Sequence, residues 1–280
     1  MAAPDFVAVG HVTLDHFGDD VRPGGAALYA AVTAHRLGRS AAILTSHGAD
    51  FPLDDLPPAI EVVTLEAPAT TVFEHAAGEG ERAMRVTATA SPLAAADLPE
   101  DWRAAPVVLL APVIQEVDPG LAIGFDDAAV AVAAQGWLRT LDDAGAVEPV
   151  AWTSPDDVLD RLQALFVSAE DVRGQEAQLT EWVQRVPLAV VTLGASGALL
   201  YVNGDRFEVR PRPAQEMDAT GAGDVFATTF LLYYQRDGDP WAAAEAATCA
   251  ASLSVEGEGW STVPDSAALE AALAEYRARF

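Results

Sequence analysis

The 280-residue sequence contains no lysine; all sixteen of its Lys/Arg positions are arginine. That absence removes several chemistries. A phosphate-binding P-loop uses a Gly-Lys-Ser/Thr run to reach the β- and γ-phosphates. Pyridoxal and Schiff-base enzymes need a lysine amine, and protein kinases need a strand lysine. None of these can operate here in its usual form. Positive charge is scarce altogether: 42 acidic residues against 16 arginines give a formal net charge of −26. So acidic a surface repels nucleic acid and anionic membranes, and neither is expected as a partner.

Cysteine is nearly absent. The single Cys249 can form neither an internal disulfide nor a cysteine-rich zinc site. Its Ala-rich surroundings predict a buried, inert thiol. The five histidines show no HExxH spacing. Long hydrophobic runs are missing too, since Asp126-Asp127 and Glu245 interrupt the most apolar windows. Residues 1–5 carry no basic charge and no apolar run, so no signal peptide is expected. The expectation is a soluble cytoplasmic protein.

With 51% hydrophobic and 21% charged residues and no low-complexity tract, the chain can bury a large core. Short apolar runs at Phe6–Gly10, Ala41–Thr45, Val107–Leu110, Ala129–Ala133, Ala164–Val167 and Leu188–Thr192 read as buried strands. Helical patterns lie between them, at Gly25–Leu37, Pro155–Gln163 and Gln175–Arg185. That alternation predicts a parallel sheet covered on both faces. Hairpins are expected at Thr70–His75 with Arg82–Thr89, around Gly78-Glu79-Gly80, and at Ala198–Val202 with Arg206–Val209. The last third reads as three helices, Gly221–Gln235, Pro240–Val255 and Asp265–Arg279. No repeat or linker divides the chain, so one domain over residues 1–280 is expected.

The most specific motif is Asp218-Ala219-Thr220-Gly221-Ala222-Gly223-Asp224, at the start of a helix. Two glycines there let the backbone turn tightly, and free N–H groups at a helix start attract anions. Asp224 in the first turn could accept a proton from an attacking hydroxyl. Alternatively, it could simply complement the helix dipole while the glycines cap the helix. The run resembles the C-terminal signature of the ribokinase/PfkB carbohydrate kinase family, usually Asp-Thr-x-Gly-Ala-Gly-Asp, with Ala219 as the single mismatch. The resemblance implies Asp224 as catalytic base, and Gly221, Ala222 and Gly223 as the amides of an anion hole. It also implies ATP and Mg2+ as cofactors, and a ribokinase-like three-layer α/β/α sandwich with a small β lid.

The resemblance runs along most of the chain. Gly10-His11-Val12-Thr13-Leu14-Asp15 is similar to the family's first strand, ending in a substrate-binding Asp15. Gly24-Gly25-Ala26-Ala27-Leu28-Tyr29 resembles its N-terminal signature, which places Gly24 and Gly25 at the substrate. Tyr29 stands where the family has Asn, which predicts either an unusual acceptor or a tyrosine packed in the core. Thr192-Leu193-Gly194-Ala195-Ser196-Gly197 resembles the nucleotide loop, with Thr192, Gly194 and Gly197 at the phosphates. Ser168 and Asp171 replace the Asn and Glu of an Asn-x-x-Glu motif, which implies Ser168 at the phosphates and Asp171 at Mg2+ through water. Ser168 is equally suited to a helix N-cap. Glu116, Gln135 and Arg139 follow strands at positions where relatives contact substrate; Gln-x-x-x-Arg is similar to the inositol kinase branch. Asp218 and Thr220 resemble a monovalent-cation loop, which would hold K+, and Thr248 falls where a nucleotide-facing Asn is common.

Only eight residues separate Asp15 from Gly24, so the lid is expected mainly from about residues 70–89. The reduced lid leaves the oligomeric state open. The segment from Gly10 to Ala30 holds one cation, Arg22, which favours a neutral sugar or polyol over a sugar phosphate unless Arg82, Arg85 or Arg139 enters the cleft. A nucleoside kinase of the same fold is the nearest alternative, with Tyr29 or Phe17 stacking on a base. A ligand-sensing homologue with weak transfer is the other.

Overall fold

The computed structural model describes residues 2–75, 84–153 and 156–280. The strands are β1 (Phe6–Val9), β2 (Thr13–Phe17), β3 (Asp20–Gly24), β4 (Ala41–His47), β5 (Glu61–Glu66), β6 (Thr71–His75), β7 (Met84–Ala88), β8 (Val107–Leu110), β9 (Ala129–Ala133), β10 (Arg139–Leu141), β11 (Val147–Pro149), β12 (Ala164–Ser168), β13 (Leu188–Thr192), β14 (Ala198–Val202) and β15 (Asp205–Val209). The helices are α1 (Ala26–Arg36), α2 (Asp156–Leu159), α3 (Glu176–Arg185), α4 (Ala222–Asp237), α5 (Pro240–Ser254) and α6 (Ser266–Arg279).

The large sheet has nine strands in the order β15-β14-β13-β12-β9-β8-β1-β4-β5. It is parallel from β13 to β5, and β14 and β15 add an antiparallel edge. Alternation along β1 shows why both faces need cover. Phe6 and Ala8 join one apolar cluster with α1, α4, α5 and α6; Val7 and Val9 join another with Trp102, Phe125 and Trp182 of α3. These two clusters make the three-layer α/β/α sandwich of the ribokinase-like class. From β1 the chain goes to β4 and β5 on one side, then returns to β8 on the other. The crevice at the carboxyl ends of β1 and β8 is therefore a topological switch point, where open α/β sheets bind ligands.

A second sheet, β3-β2-β6-β7, stands beside that crevice. Two of its strands, β6 and β7, fall in the 70–89 segment expected to form the lid, and β2 and β3, within residues 13–24, supply the other two. Gly18-Asp19 alone returns the chain, with Gly18 at φ 67, so eight residues suffice where a longer loop would otherwise be needed. Asp15, Asp20, Arg22 and Pro23 hide this hairpin from an apolar-alternation reading. The expected turn at Gly78–Gly80, and Arg82, lie outside the described residues. β10 and β11 pair as a small hairpin whose Gly145 carbonyl accepts the Val86 N–H of β7 at 2.8 Å. Among the described residues no helix is long and apolar enough to cross a membrane.

His11, just past β1, pins the small sheet to the large one. Its Nε2 meets the Ser91 carbonyl at 2.8 Å and its Nδ1 meets the Thr71 hydroxyl at 2.8 Å. On the helix side, Phe230 of α4 is fully buried and packs edge-to-face on Phe166 of β12, ring centres 5.5 Å apart. Phe230→Ala is expected to cost about 3–5 kcal/mol in urea unfolding; a loss below about 1 kcal/mol would show that α4 is not anchored there.

Candidate active site

Asp15 reaches the crevice from β2. Thr13 donates to its Oδ1 at 2.9 Å, and a Cβ on Gly24 would stand 2.2 Å from its Oδ2, so only glycine leaves the carboxylate its place. Gly25, at φ 100, caps α1 and presses on the His11 carbonyl, where a Cβ would meet it at 2.4 Å. Burial raises the Asp15 pKa to about 6; the Thr13 hydrogen bond opposes this, and the charge of Asp218 adds to it.

Asp224 enters from the first turn of α4. Gly221 caps the helix at φ 74 and accepts the Asp224 N–H at 3.0 Å. The Ala222 N–H is engaged by Ala219 O at 3.2 Å, and among the described residues the Gly223 N–H has no backbone partner. Gly223 is exposed, and a Cβ there would meet nothing within 4 Å, so this helix end is open to an anion. Burial lifts the Asp224 pKa to about 7; Arg139 pulls it down and Asp171 pushes it up. Tyr29 joins the two acids. Its ring lies against Gly221, where a Cβ would sit 2.2 Å from Cδ1. Its hydroxyl pKa is raised by burial, then by Asp218, Asp15 and Asp224.

The remaining expected residues divide. Glu116 is buried with both oxygens on backbone N–H groups: Oε1 accepts from His11 at 3.1 Å and Val113 at 2.9 Å, and Oε2 from Ile114 at 2.7 Å. That geometry shapes the loop after β8 and does not support direct substrate contact. Arg139 and Asp171 form an ion pair at 3.4 Å close to Asp224. Gln135 is half-buried on the loop after β9. Ser168 and Thr192 are cross-strand neighbours at the carboxyl ends of β12 and β13, so the two expected phosphate loops adjoin. Gly194 takes φ 56; Gly197 takes φ 94, where a Cβ would strike Val209 O at 2.3 Å. Thr248 is buried on α5, and among the described residues its hydroxyl has no hydrogen-bond partner.

Both expected metal positions already carry partners. Asp171 Oδ2 accepts the Ser168 N–H and hydroxyl, and Oδ1 faces Arg139 at 3.4 Å, so a direct bond to Mg2+ would compete with the arginine. Asp218 Oδ1 accepts the Thr220 N–H at 2.9 Å; Oδ2 accepts the Gly259 N–H at 3.3 Å and faces Arg22 at 3.7 Å. A guanidinium already supplies the positive charge that K+ would bring. Arg22 also pairs with Asp20 at 2.5 Å and Glu258 at 3.4 Å, which ties the small sheet to the loop after α5. Sequence reasoning did not single out Thr13, Arg22 or Gln115 as site-forming: Thr13 lies inside the Gly10–Asp15 motif, and only the fold brings in Arg22 and Gln115, whose side chain donates to Arg139 O.

Comparison with known proteins agrees with this geometry. The pfkB family carbohydrate kinase profile matches residues 160–266, a span that includes Asp224. Cytidine kinase of Thermococcus kodakarensis is 28% identical over 253 residues, covering 83% of this chain and 89% of that protein. Among solved structures, a pyrophosphate-dependent kinase in the ribokinase family, complexed with a pyrophosphate analog and myo-inositol, superposes with TM-score 0.78 at 21% identity, over 95% of this chain and 99% of its own. Methanocaldococcus jannaschii nucleoside kinase does so at 0.73 and 19%, over 98% and 100%. Residues 160–266 thus match the pfkB carbohydrate kinase family, and the chain as a whole is similar to ribokinase-family kinases in sequence and fold. It is accordingly a phosphotransferase with an alcohol group as acceptor.

Because Asp15 and Asp224 hold protons that the unfolded chain would have released, stability falls as pH rises from about 4 to 7. Asp224→Asn removes one such cost. It is expected to melt above the wild type at about pH 8 and level with it near pH 4. An offset that is constant with pH would contradict the raised pKa.

Proposed function

We propose that the protein transfers the γ-phosphoryl group of ATP to a hydroxyl of a neutral sugar or polyol, inositol included. The observation that carries this is the pair of buried carboxylates, Asp15 on the small sheet and Asp224 in the first turn of α4, both acting on Tyr29, whose ring lies against Gly221 at the open end of α4. Asp15 accepts hydrogen bonds from hydroxyls that do not react, and so orients the acceptor. Asp224 takes the proton of the reacting hydroxyl as its oxygen bonds to the γ-phosphorus. The bond from that phosphorus to the bridging oxygen breaks, and ADP leaves with the electron pair. The helix end at Gly221, Ala222 and Gly223 stabilises charge on the transferring group. Thr192, Gly194 and Gly197 hold the donor phosphates. The small sheet acts as a lid that excludes water, tied down by Arg22.

A nucleoside acceptor is the second reading, favoured by the similarity to a cytidine kinase. The aromatic residues expected to stack on a base argue the other way. Tyr29 is buried against Gly221; Phe17 is stacked on His75 at 4.4 Å and lies under Arg22. Arg85 is exposed, and Arg139, which acts on Asp224 at the transfer end of the cleft, is paired with Asp171 and so is not free to hold a phosphate on the acceptor.

ADP release with Mg2+ and ATP, measured across neutral sugars, inositols and nucleosides, tests the proposal. The expected result is turnover with a sugar or inositol that falls about 10³-fold in Asp224→Asn. Turnover confined to nucleosides would select the second reading. ATP binding with no acceptor-dependent turnover would favour a ligand-sensing role.

A further inference from the structure

Arg139 is held at both ends. Its carbonyl accepts the Gln115 side-chain N–H at 2.8 Å, and the same amide donates to Trp137 O at 2.9 Å. Gln115 takes φ 62 to do this, a conformation that residues other than glycine seldom adopt. Its N–H also donates to Gly136 O at 3.1 Å, and Gly136 lies so close to Pro112 that a Cβ would sit 2.3 Å from that backbone. The loops after β8 and β9 are thus locked together beneath Arg139. At the other end the guanidinium Nη2 meets Asp171 Oδ1 at 3.4 Å.

Asp171 is equally fixed. Its Oδ2 accepts the Ser168 N–H at 3.1 Å and the Ser168 hydroxyl at 2.7 Å, while Ser168 Oγ accepts the Asp171 N–H at 3.0 Å. This reciprocal pair closes the turn after β12. One oxygen belongs to the turn and the other to the arginine, and only 12% of the side chain is exposed. A carboxylate that binds a metal directly must give it an oxygen, and at Asp171 that oxygen would have to leave Arg139. In a lysine-free chain, an arginine is the side chain that can place permanent positive charge at a phosphoryl group, and its planar donors act best when fixed. Arg139 directly follows residues 134–138, which pack on β12, and α4 packs on β9 and β12; among the described residues Arg139 is a cation whose charge acts on Asp224.

We propose that Asp171 is a positioning residue that fixes the Arg139 guanidinium beside the start of α4, where Arg139 neutralises charge on the transferring phosphoryl group. This rests on the kinase reading above. Asp171 then acts through Arg139, and the Ser168–Asp171 turn replaces metal binding with an ion pair.

The test combines kinetics with a readout that needs no turnover. Asp171→Asn keeps an acceptor for the Ser168 hydroxyl and loses the charge. Its kcat is expected to fall about 10- to 100-fold, with half-saturating Mg2+ within about twofold of wild type. Arg139→Ala is expected to lose at least as much, and the double variant no more than Arg139→Ala alone. In nitrogen-15 NMR the Arg139 Nε–H signal, identified by its loss in Arg139→Ala, is expected to be resolved in the wild type and averaged in Asp171→Asn. A tenfold rise in half-saturating Mg2+ in Asp171→Asn, with kcat recovered at high Mg2+, would restore Asp171 to metal binding and overturn the proposal. So would losses that multiply in the double variant, or an Arg139 signal unchanged by Asp171→Asn. If Asp171→Asn does not fold, Arg139→Ala decides: a kcat near wild type overturns the proposal, and a tenfold or greater loss upholds it. If the wild type phosphorylates no acceptor, the kinase reading falls by itself, and the NMR comparison still decides whether Asp171 holds Arg139.

Discussion

The contact of the Tyr29 ring with Gly221 organises the site. It joins the first turns of α1 and α4, the two helices whose starts supply Gly25 and Asp224. A residue with a Cβ at position 221 would be driven into the ring, and the φ of 74 there would be strained as well. This contact holds Tyr29 where the charges of both Asp15 and Asp224 act on it, at the open end of α4. The Asn-to-Tyr departure from the family signature therefore fills space at the helix junction. It gives the acceptor no new aromatic face.

Electrostatics set the rest. A chain with 42 acidic residues has placed two of them where burial makes ionisation costly. The arginines around them are committed to particular acids: Arg22 to Asp218 and Glu258, Arg139 to Asp171. Each tie also does mechanical work. Arg22 links the small sheet to the loop beside the α4 motif, and Arg139 stands at the base of a hairpin whose tip bonds β7. The position of the small sheet and the charge around Asp224 are thus connected through short paths of ion pairs and backbone hydrogen bonds.

Much of this was legible in the residues. The apolar strands at Phe6, Val107, Ala129, Ala164 and Leu188 announced a parallel sheet, because strands buried on both faces leave unbroken apolar runs. The Gly-Ala-Gly-Asp run announced a helix start beside an anion site. The β2–β3 hairpin was not legible, since charged residues and Pro23 mask its alternation. Nor were β5, β10 and β11; the latter two have three residues each, too few for periodicity. The helix expected over Pro155–Gln163 is only Asp156–Leu159. Glu116 and Asp171 show a different limit: a motif position tells which acid is near the site, but not whether its oxygens are already taken by backbone and neighbours.

The central claim is that two buried, proton-holding carboxylates, Asp15 and Asp224, both lie near Tyr29 at the cleft. Carboxyl-carbon NMR titration of the free protein tests it most directly. The account predicts one aspartate titrating near 7, lost in Asp224→Asn, and another near 6, lost in Asp15→Asn. If both titrate in the ordinary carboxylate range near 4, they are solvated, and the buried acid pair on which the site is built does not exist.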